Sequence, residues 1–411
     1  MQQEPHKKFK SLYLKLVILP YRVAVEVALC YYTFIIWFLQ RRDGMKNRIG
    51  LYIHIPFCRS KCPYCDFYSM RADSNAMEEY TDALIRRIPT LSSNYAAQFD
   101  TVYIGGGTPS AIGADRLCAI LGAAVPFTDS GCEITVECNP FDGAKKALDF
   151  SALKAAGVNR ISMGMQSAND SERRSLGRLS GREDVAIAVK RAQSAGIDNI
   201  SLDLMLAVPN QTVDSLKDSI HFCADLGVRH VSSYILKIEE GTQFYKKQSS
   251  LSLPDEDETC ELYLTACEEL EKCGFMQYEI SNFAVPDYES RHNLKYWNCE
   301  EYLGIGPAAH SFVGGKRFCF ERDTQSFIGG CMPTPDGDGG SFEEYVMLRL
   351  RLCDGLVFKD AEKRFGKGVC DSVIKKAEPL VPLGLVSLGS ENLRLTRQGF
   401  LLSNSVIAAV I

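Results

Sequence analysis

Three cysteines in one short segment carry the clearest chemical signal in the sequence. Cys58, Cys62 and Cys65 follow a strand-like run and have the spacing CxxxCxxC. Three thiolates on one loop can converge on a metal, and zinc would complete its tetrahedron with a fourth Cys or His. His54 is close in sequence, but it lies within the strand. An iron–sulfur cubane would instead leave one iron open for another ligand. The residues favour the cluster over zinc and over a purely structural group of thiols.

A second set of candidates lies at or near the ends of the following strand-like runs. Glycines let backbone approach a ligand closely, and a lone acid in an apolar strand is costly unless it is paired. Each residue alone is more often structural. Because the carboxyl ends of consecutive parallel strands share one mouth, together they predict a single site. The set comprises Gly106, Gly107, Thr108, Glu137, Gln166 and Asp203, with Arg178 as a partner for a ligand carboxylate.

A third segment combines residues that are rare in this chain. The segment contains His292, Tyr296 and Trp297. The whole chain has only six histidines and two tryptophans. A neutral imidazole is a good axial ligand for heme iron, and aromatic rings offer flat faces to a porphyrin. The alternative is an aromatic cluster that anchors a loop, with the histidine bonded to a carbonyl. Cys299 and His310 are further candidate ligands.

Strand and helix signals alternate through the middle of the chain, and several helices end at a glycine. Six consecutive βα units predict parallel strands joined by crossover helices, in a partial (β/α)6 TIM-type barrel. The predicted strands are Leu51–Ile55, Thr101–Ile104, Glu133–Glu137, Asn159–Met163, Asn199–Leu206 and Val228–Leu236. The predicted helices include Ala76–Ile88, Phe150–Ala156, Arg182–Ala195 and Val213–Leu226.

The composition divides the chain into four parts. Residues 45–285 form the predicted barrel, and 286–340 contain the histidine segment and a Gly/Pro-rich linker at 329–340. Residues 341–411 read as helices followed by a small hairpin, which predicts a C-terminal winged-helix-like domain. Such units often bind DNA, but the net charge of −5 over 411 residues favours protein packing, so we expect no nucleic-acid partner. Sixteen cysteines without an export signal predict a reducing, cytoplasmic location.

The first 44 residues differ from the rest of the chain. They carry seven basic and three acidic residues, a net charge of +4, whereas residues 45–411 sum to −9. Residues 23–39 are apolar apart from Glu26, and 17 residues is the short limit for a membrane span. Three interpretations remain: a membrane anchor, an amphipathic surface helix, or upstream sequence translated from a misplaced start before Met45.

The cysteine spacing after strand one, together with Gly-Gly-Gly-Thr-Pro-Ser from Gly105, resembles the radical S-adenosylmethionine (SAM) superfamily. The resemblance implies a 4Fe–4S cluster on the three cysteines. Its open iron would bind the amino and carboxylate groups of SAM and deliver the electron that cleaves it. The resemblance places Tyr64 near the adenine and the glycine segment near the SAM amino group. Tyr52, in the first strand, is a further cofactor-binding candidate.

Within that superfamily, residues 45–411 resemble the coproporphyrinogen III oxidase-like group. Its dehydrogenase branch has a fourth cysteine two residues after the third, where this chain has Phe67. The heme chaperone branch (HemW) has Cys-Asp-Phe there and a His-Asn-x-x-Tyr-Trp segment, as this chain does at 65–67 and 292–297. The resemblance therefore implies heme near His292, Tyr296 and Trp297, and transfer to an acceptor apo-hemoprotein. The alternatives are oxygen-independent coproporphyrinogen III dehydrogenase and another radical SAM enzyme.

Overall fold

The computed structural model describes residues 47–140 and 147–411. The N-terminal segment 1–44, with its predicted membrane association through residues 23–39, lies outside the described residues. Within the described ranges, no helix has both the length and the apolar character needed to cross a membrane.

A mixed sheet of twelve strands forms the centre of the molecule, in the order β12-β11-β10-β9-β1-β2-β3-β4-β5-β6-β8-β7. Strands β1 to β6 are mutually parallel, which confirms the six predicted strands and the α/β barrel-type fold. The strands of this sheet are β1 Asn47–Ile55, β2 Ala97–Gly106, β3 Thr128–Cys138, β4 Arg160–Gln166, β5 Asn199–Leu206, β6 His230–Ile235, β7 Met276–Glu279, β8 Asn282–Ala284, β9 Tyr302–Ile305, β10 His310–Val313, β11 Lys316–Cys319 and β12 Thr334–Asp338.

Helices connect the parallel strands, and many begin at a side chain that accepts an otherwise unpaired backbone N–H. Asp73, Thr212 and Asp255 cap three of them in this way. The helices are α1 Ser74–Asn94, α2 Ala114–Ala124, α3 Phe150–Ala155, α4 Asp170–Ser175, α5 Arg182–Ser194, α6 Val213–Asp225, α7 Gln243–Lys246, α8 Glu256–Lys272, α9 Arg291–Trp297, α10 Thr324–Ile328, α11 Phe342–Arg349, α12 Phe358–Phe365, α13 Asp371–Ala377, α14 Arg397–Leu401 and α15 Ser403–Val410. Short 3₁₀ turns lie at Pro109–Ile112, Val125–Phe127, Gln248–Ser250 and Glu378–Leu380.

The chain after residue 285 adds strands that the sequence did not predict. Strand β9 pairs in parallel with β1, and β10, β11 and β12 continue the sheet in antiparallel order. The prediction of a linker over 329–340 is therefore wrong for residues 334–338, which form the edge strand β12. Residues 334–338 contain one glycine and one proline, which suit a turn, but the backbone pairing with β11 keeps them on the sheet. The exposed Lys316–Asp338 ion pair joins the same two strands.

The C-terminal segment contains helices α11 to α15 and a second sheet in the order β13-β15-β14. Its strands are β13 Leu356–Val357, β14 Val386–Leu388 and β15 Asn392–Leu395. The last two form the predicted hairpin. Buried residues such as Val346 and Leu350 belong to the same apolar core as the barrel strands, so this segment packs directly against the rest of the protein.

Candidate functional site

The cysteine loop is closed at its base by backbone hydrogen bonds. The Cys58 N–H donates to the Met70 carbonyl at 3.0 Å, and the Met70 N–H donates to the Pro56 carbonyl at 2.8 Å. A tight turn holds the Cys65 N–H 3.1 Å from the Cys62 carbonyl. All three thiols are partly exposed and line one cavity of about 670 Å³ at the carboxyl end of β1. The loop therefore presents the three thiols to a common space.

The spacing of the three sulfurs discriminates between the two candidate metal groups. Within the described ranges, only His310, Cys319 and Asp336 place three His, Cys or acidic ligand atoms within 4.8 Å of one another. The cysteine-loop sulfurs are therefore more widely spread than the roughly 3.8 Å that zinc–sulfur bonds of about 2.3 Å require in a tetrahedron. A cubane is wider than one ion and suits this spread. His54 offers no fourth ligand, because its ring nitrogens contact the Tyr52 hydroxyl and the Tyr68 carbonyl at 3.0 Å.

The glycine segment after β2 lies directly against the cysteine loop. The Gly107 and Thr108 N–H groups donate to the carbonyls of Ile55 and Phe57 at 2.8 Å. A Cβ on Gly107 would lie 2.8 Å from the Phe57 carbonyl oxygen, and one on Gly106 would lie 2.5 Å from the His54 ring. Gly106 also has a φ of +111°. Side chains are thus excluded at both positions, and backbone can approach a ligand.

Glu137, at the end of β3, is held beside the glycine segment. The Tyr103 hydroxyl donates to its Oε1 at 2.8 Å, and the Gly106 N–H donates to its Oε2 at 3.2 Å. Burial raises the pKa of Glu137 to about 7, although the Tyr103 hydrogen bond opposes that shift. The carboxyl group therefore changes charge near neutral pH, at a position that lines the cavity.

The cavity is also lined by Gln166, Arg178 and Asp203, and Arg178 interacts with Tyr64 of the cysteine loop. A Cβ on Gly164 would lie 2.9 Å from an Arg178 guanidinium nitrogen, so the missing side chain makes room for that group. The Arg178 Nε is buried and has no hydrogen-bond partner within the described residues. Burial raises the pKa of Asp203, to which the Ser162 hydroxyl donates at 3.4 Å.

The two candidate tyrosines have different locations. Tyr64 lines the cavity and packs beside Phe244 with ring centroids 6.1 Å apart, in a small apolar cluster separate from the main core. The Phe244 N–H also donates to the Pro63 carbonyl at 2.9 Å, which anchors the loop next to Tyr64. Tyr52 does not line the cavity. Its hydroxyl is 3.0 Å from His54 Nδ1.

Sequence reasoning missed Arg160, which also lines the cavity. This residue is only 2% exposed, and within the described residues its Nε has no hydrogen-bond partner. It is the first residue of β4, in the run Arg-Ile-Ser-Met. The argument that singled out Asp203, a charge in an otherwise apolar strand, applies equally to Arg160.

The histidine segment forms α9, in which His292 contacts Thr101 in the middle of β2 and Glu133 in the middle of β3. His292 is 1% exposed, and each ring nitrogen has a partner at 2.8 Å: Nδ1 contacts the Thr101 hydroxyl and Nε2 contacts the Tyr296 hydroxyl. Burial lowers the pKa of His292 to about 3, so the ring is neutral. The structure therefore does not bring His292 to the cysteines, which lie at the carboxyl end of the same sheet.

Two neighbours of His292 line the cavity: Asn293, and Tyr103, whose ring centroid lies 5.3 Å from that of His292. Tyr296 packs edge-on to Tyr302, and neither Tyr296 nor Trp297 lines the cavity. Asn293 does line it, so the cavity extends from the cysteine loop to one residue of α9.

The two other candidate heme ligands lie outside this cavity as well. Cys299 is buried. His310 is exposed on β10, where its Nδ1 is 3.3 Å from an Asp336 carboxylate oxygen.

Comparisons with known proteins identify the superfamily and the fold. Residues 52–223 match the family model of the radical SAM superfamily, and residues 342–402 match that of the HemN C-terminal domain. The solved structure of coproporphyrinogen III oxidase (HemN) from Escherichia coli superimposes with a TM-score of 0.77 at 20% identity. It covers 91% of this chain and 92% of that one, which shows a shared fold.

Curated relatives extend the likeness to nearly the whole chain. The heme chaperone HemW of Bacillus subtilis is 35% identical over 88% of this chain and 98% of its own length. HemW of Escherichia coli is 31% identical over 87% of this chain and 97% of its own length. The chain therefore belongs to the radical SAM superfamily and, within it, to the HemW family.

Proposed function

We propose that this protein is a heme chaperone, which binds heme and transfers it to an acceptor apo-hemoprotein. Its cavity would hold a 4Fe–4S cluster and SAM. The observation that carries the proposal is the convergence of the three cysteines, the glycine segment, Glu137 and Arg178 on one cavity. Similarity to curated heme chaperones over most of the chain supports the transfer function.

Cys58, Cys62 and Cys65 would hold the cluster. The donor set fits, because it consists of three partly exposed thiols that are too widely spread for a single zinc ion. When bound, such a cluster supplies one open coordination position and a one-electron donor. The closed base of the loop, at Cys58 and Met70, keeps the three thiols in place for assembly.

The remaining cavity residues would hold SAM. A volume of about 670 Å³ falls in the range of roughly 300–1,000 Å³ that is typical of small-molecule sites. The backbone at Gly106 and Gly107 and the Glu137 carboxylate would contact the amino group. The Arg178 guanidinium would pair with the carboxylate, and Tyr64 would lie along the adenine. Gln166 and Asp203 would also line the site.

Heme binding separates this proposal from coproporphyrinogen III dehydrogenation. Phe67 occupies the position of the dehydrogenase's fourth cysteine, and its side chain is 69% exposed. Heme ligation by His292, with Tyr296 and Trp297 against the porphyrin, remains the sequence-based hypothesis. It would require one of the two His292 hydrogen bonds to break, because an axial ligand uses a single ring nitrogen. A cytoplasmic location, the four-part domain division and the absence of a nucleic-acid partner belong to the same proposal.

One experiment tests the proposed function against its main alternative. Anaerobically reconstituted protein would be given SAM, a reductant and coproporphyrinogen III, and products would be analysed for protoporphyrinogen. In parallel, hemin would be titrated and the Soret band followed, with apomyoglobin added afterwards as a heme acceptor. We expect heme binding and transfer without turnover. Formation of protoporphyrinogen, or failure to bind heme, would contradict the proposal.

A further inference from the structure

Three large apolar side chains stand exposed around the mouth of the cavity. Phe67, Leu179 and Ile235 are 69%, 80% and 41% exposed, and each lines the cavity. They come from three separate parts of the fold: the cysteine loop, the loop after α4 and the end of β6. Exposed apolar groups gathered at one opening mark a binding surface more often than scattered ones do. We refer to these three residues as the apolar rim.

Basic side chains accompany the apolar rim. Arg59 and Lys61 are exposed on the cysteine loop, and the Lys61 ammonium donates to the Phe67 carbonyl at 3.2 Å. Lys237 also lines the mouth, where it pairs with Glu239 at 2.6 Å. On the cysteine loop, the acidic residue that lines the cavity is Asp66. Beside Phe67, the two cations Arg59 and Lys61 therefore outnumber the one acidic residue, Asp66. The charge of Lys237 is balanced by Glu239, its ion-pair partner.

We infer that heme binds across the apolar rim, with its macrocycle on Phe67, Leu179 and Ile235 and its propionates toward Arg59 and Lys61. This inference rests on the proposed function and names the surface that carries it out. Heme combines a broad apolar plate with two carboxylates at one edge. The rim offers the matching combination of apolar side chains flanked by two cations.

The alternative heme site, at His292, is buried. His292 is 1% exposed, and its ring nitrogens are bonded to Thr101 and Tyr296. A porphyrin there would have to break one of these two hydrogen bonds to reach the imidazole. At the rim, the apolar surface is already exposed and no internal contact has to break.

The test compares heme affinity between matched variants of the reconstituted holoprotein with SAM bound. The rim variant is the double substitution Phe67→Ser and Leu179→Ser. Both side chains are exposed, so we expect the fold to be preserved. The control is Met332→Ser, since Met332 is 71% exposed and lies outside the cavity. His292→Gln tests the alternative. We expect a loss of at least about tenfold in hemin affinity for the rim variant, and unchanged affinity for the other two.

The outcomes separate this inference from the proposed function. If the parent protein binds hemin and the rim variant binds it equally well, only the rim assignment is overturned. Loss of binding in His292→Gln would overturn it in favour of α9. If the rim variant bound hemin as tightly as the parent but transferred it to apomyoglobin more slowly, the rim would be a contact surface for the acceptor protein. That result would also overturn the inference. Failure of the parent protein to bind hemin would remove the proposed function together with the inference.

The propionate contacts are tested with a second probe. Hemin dimethyl ester keeps the macrocycle and neutralises both carboxylates. We expect the ester to bind the parent protein more weakly than hemin, and the double variant Arg59→Ala and Lys61→Ala to remove that preference. A parent protein that binds both probes equally would overturn the assignment of the propionates to these cations.

Discussion

The cysteine loop and α9 both contain motifs that the sequence singled out for chemistry, yet they differ in what their polar groups do. At the loop, three thiols are partly exposed to a cavity, and the buried Nε of Arg178, a residue that interacts with Tyr64 of the same loop, lacks a partner among the described residues. In α9, both ring nitrogens of His292 are hydrogen-bonded inside the protein. Polar groups that are left open can bind a ligand, whereas groups already paired stabilise the fold.

The largest expected effect is at the loop. Cys62→Ala should abolish the reconstituted 4Fe–4S absorbance, because two thiolates on this loop leave a second iron without a protein ligand. The measurement is iron content with visible absorption after anaerobic reconstitution. Cys260→Ala is the control, since Cys260 is partly exposed but lies outside the cavity. A normal cluster signal in Cys62→Ala would refute the ligand assignment.

At α9 we expect a loss of stability rather than a loss of cluster. His292→Ala would leave a cavity and unpair the Thr101 and Tyr296 hydroxyls, which should lower the free energy of unfolding by about 2–4 kcal/mol. Denaturant unfolding under anaerobic conditions measures this change. His310→Ala, at an exposed site, should stay within about 0.5 kcal/mol of the parent. If the two variants had equal free energies of unfolding, the contrast between the paired groups of α9 and the open groups of the cysteine loop would be wrong.

A substitution in the glycine segment measures how tightly the cavity wall is packed. Gly107→Ala places a Cβ 2.8 Å from the Phe57 carbonyl oxygen and should destabilise the protein by about 1–3 kcal/mol while weakening SAM binding. Gly122→Ala is the matched control, because Gly122 lies in α2 with nothing within 4 Å of its added Cβ. That change should stabilise by about 0.5–1 kcal/mol. Unfolding and SAM titration of both variants measure the difference.

The smallest effect concerns the charge of Glu137. Its pKa is raised to about 7, so the carboxyl group is neutral below that pH and ionised above it. If the ionised form contacts the SAM amino group, SAM affinity should fall about tenfold from pH 8 to pH 6, following the ionised fraction. Without SAM, the raised pKa makes this group's contribution to stability fall as pH rises from 4.5 through 7. Calorimetric titration checks the affinity, and an equally steep pH dependence in Glu137→Gln would exclude Glu137 as its source.

The outcome at particular residues shows how far sequence patterns reach. The ends of successive parallel strands predict that Gln166 and Asp203 share a site, and side-chain chemistry predicts Arg178 as a carboxylate partner; the structure brings all three to the same cavity. Arg160, the first residue of β4, is not found by that argument, although a charge in an otherwise apolar strand marks it as it marks Asp203. The strand β12 was read as linker, because glycine and proline describe local backbone preference and not pairing with β11. The local backbone preferences of a segment do not determine which strand it pairs with.

The sequence by itself determined the features that depend on neighbouring residues along the chain. The CxxxCxxC spacing places three thiols on one loop, and strand–helix alternation dictates parallel strands whose carboxyl ends converge. Only the tertiary structure decided where α9 and Phe67 would lie. A helix or side chain can satisfy the same pattern on either end of a sheet, and long-range packing chooses between them. That choice buried His292 and left the apolar rim open to solvent.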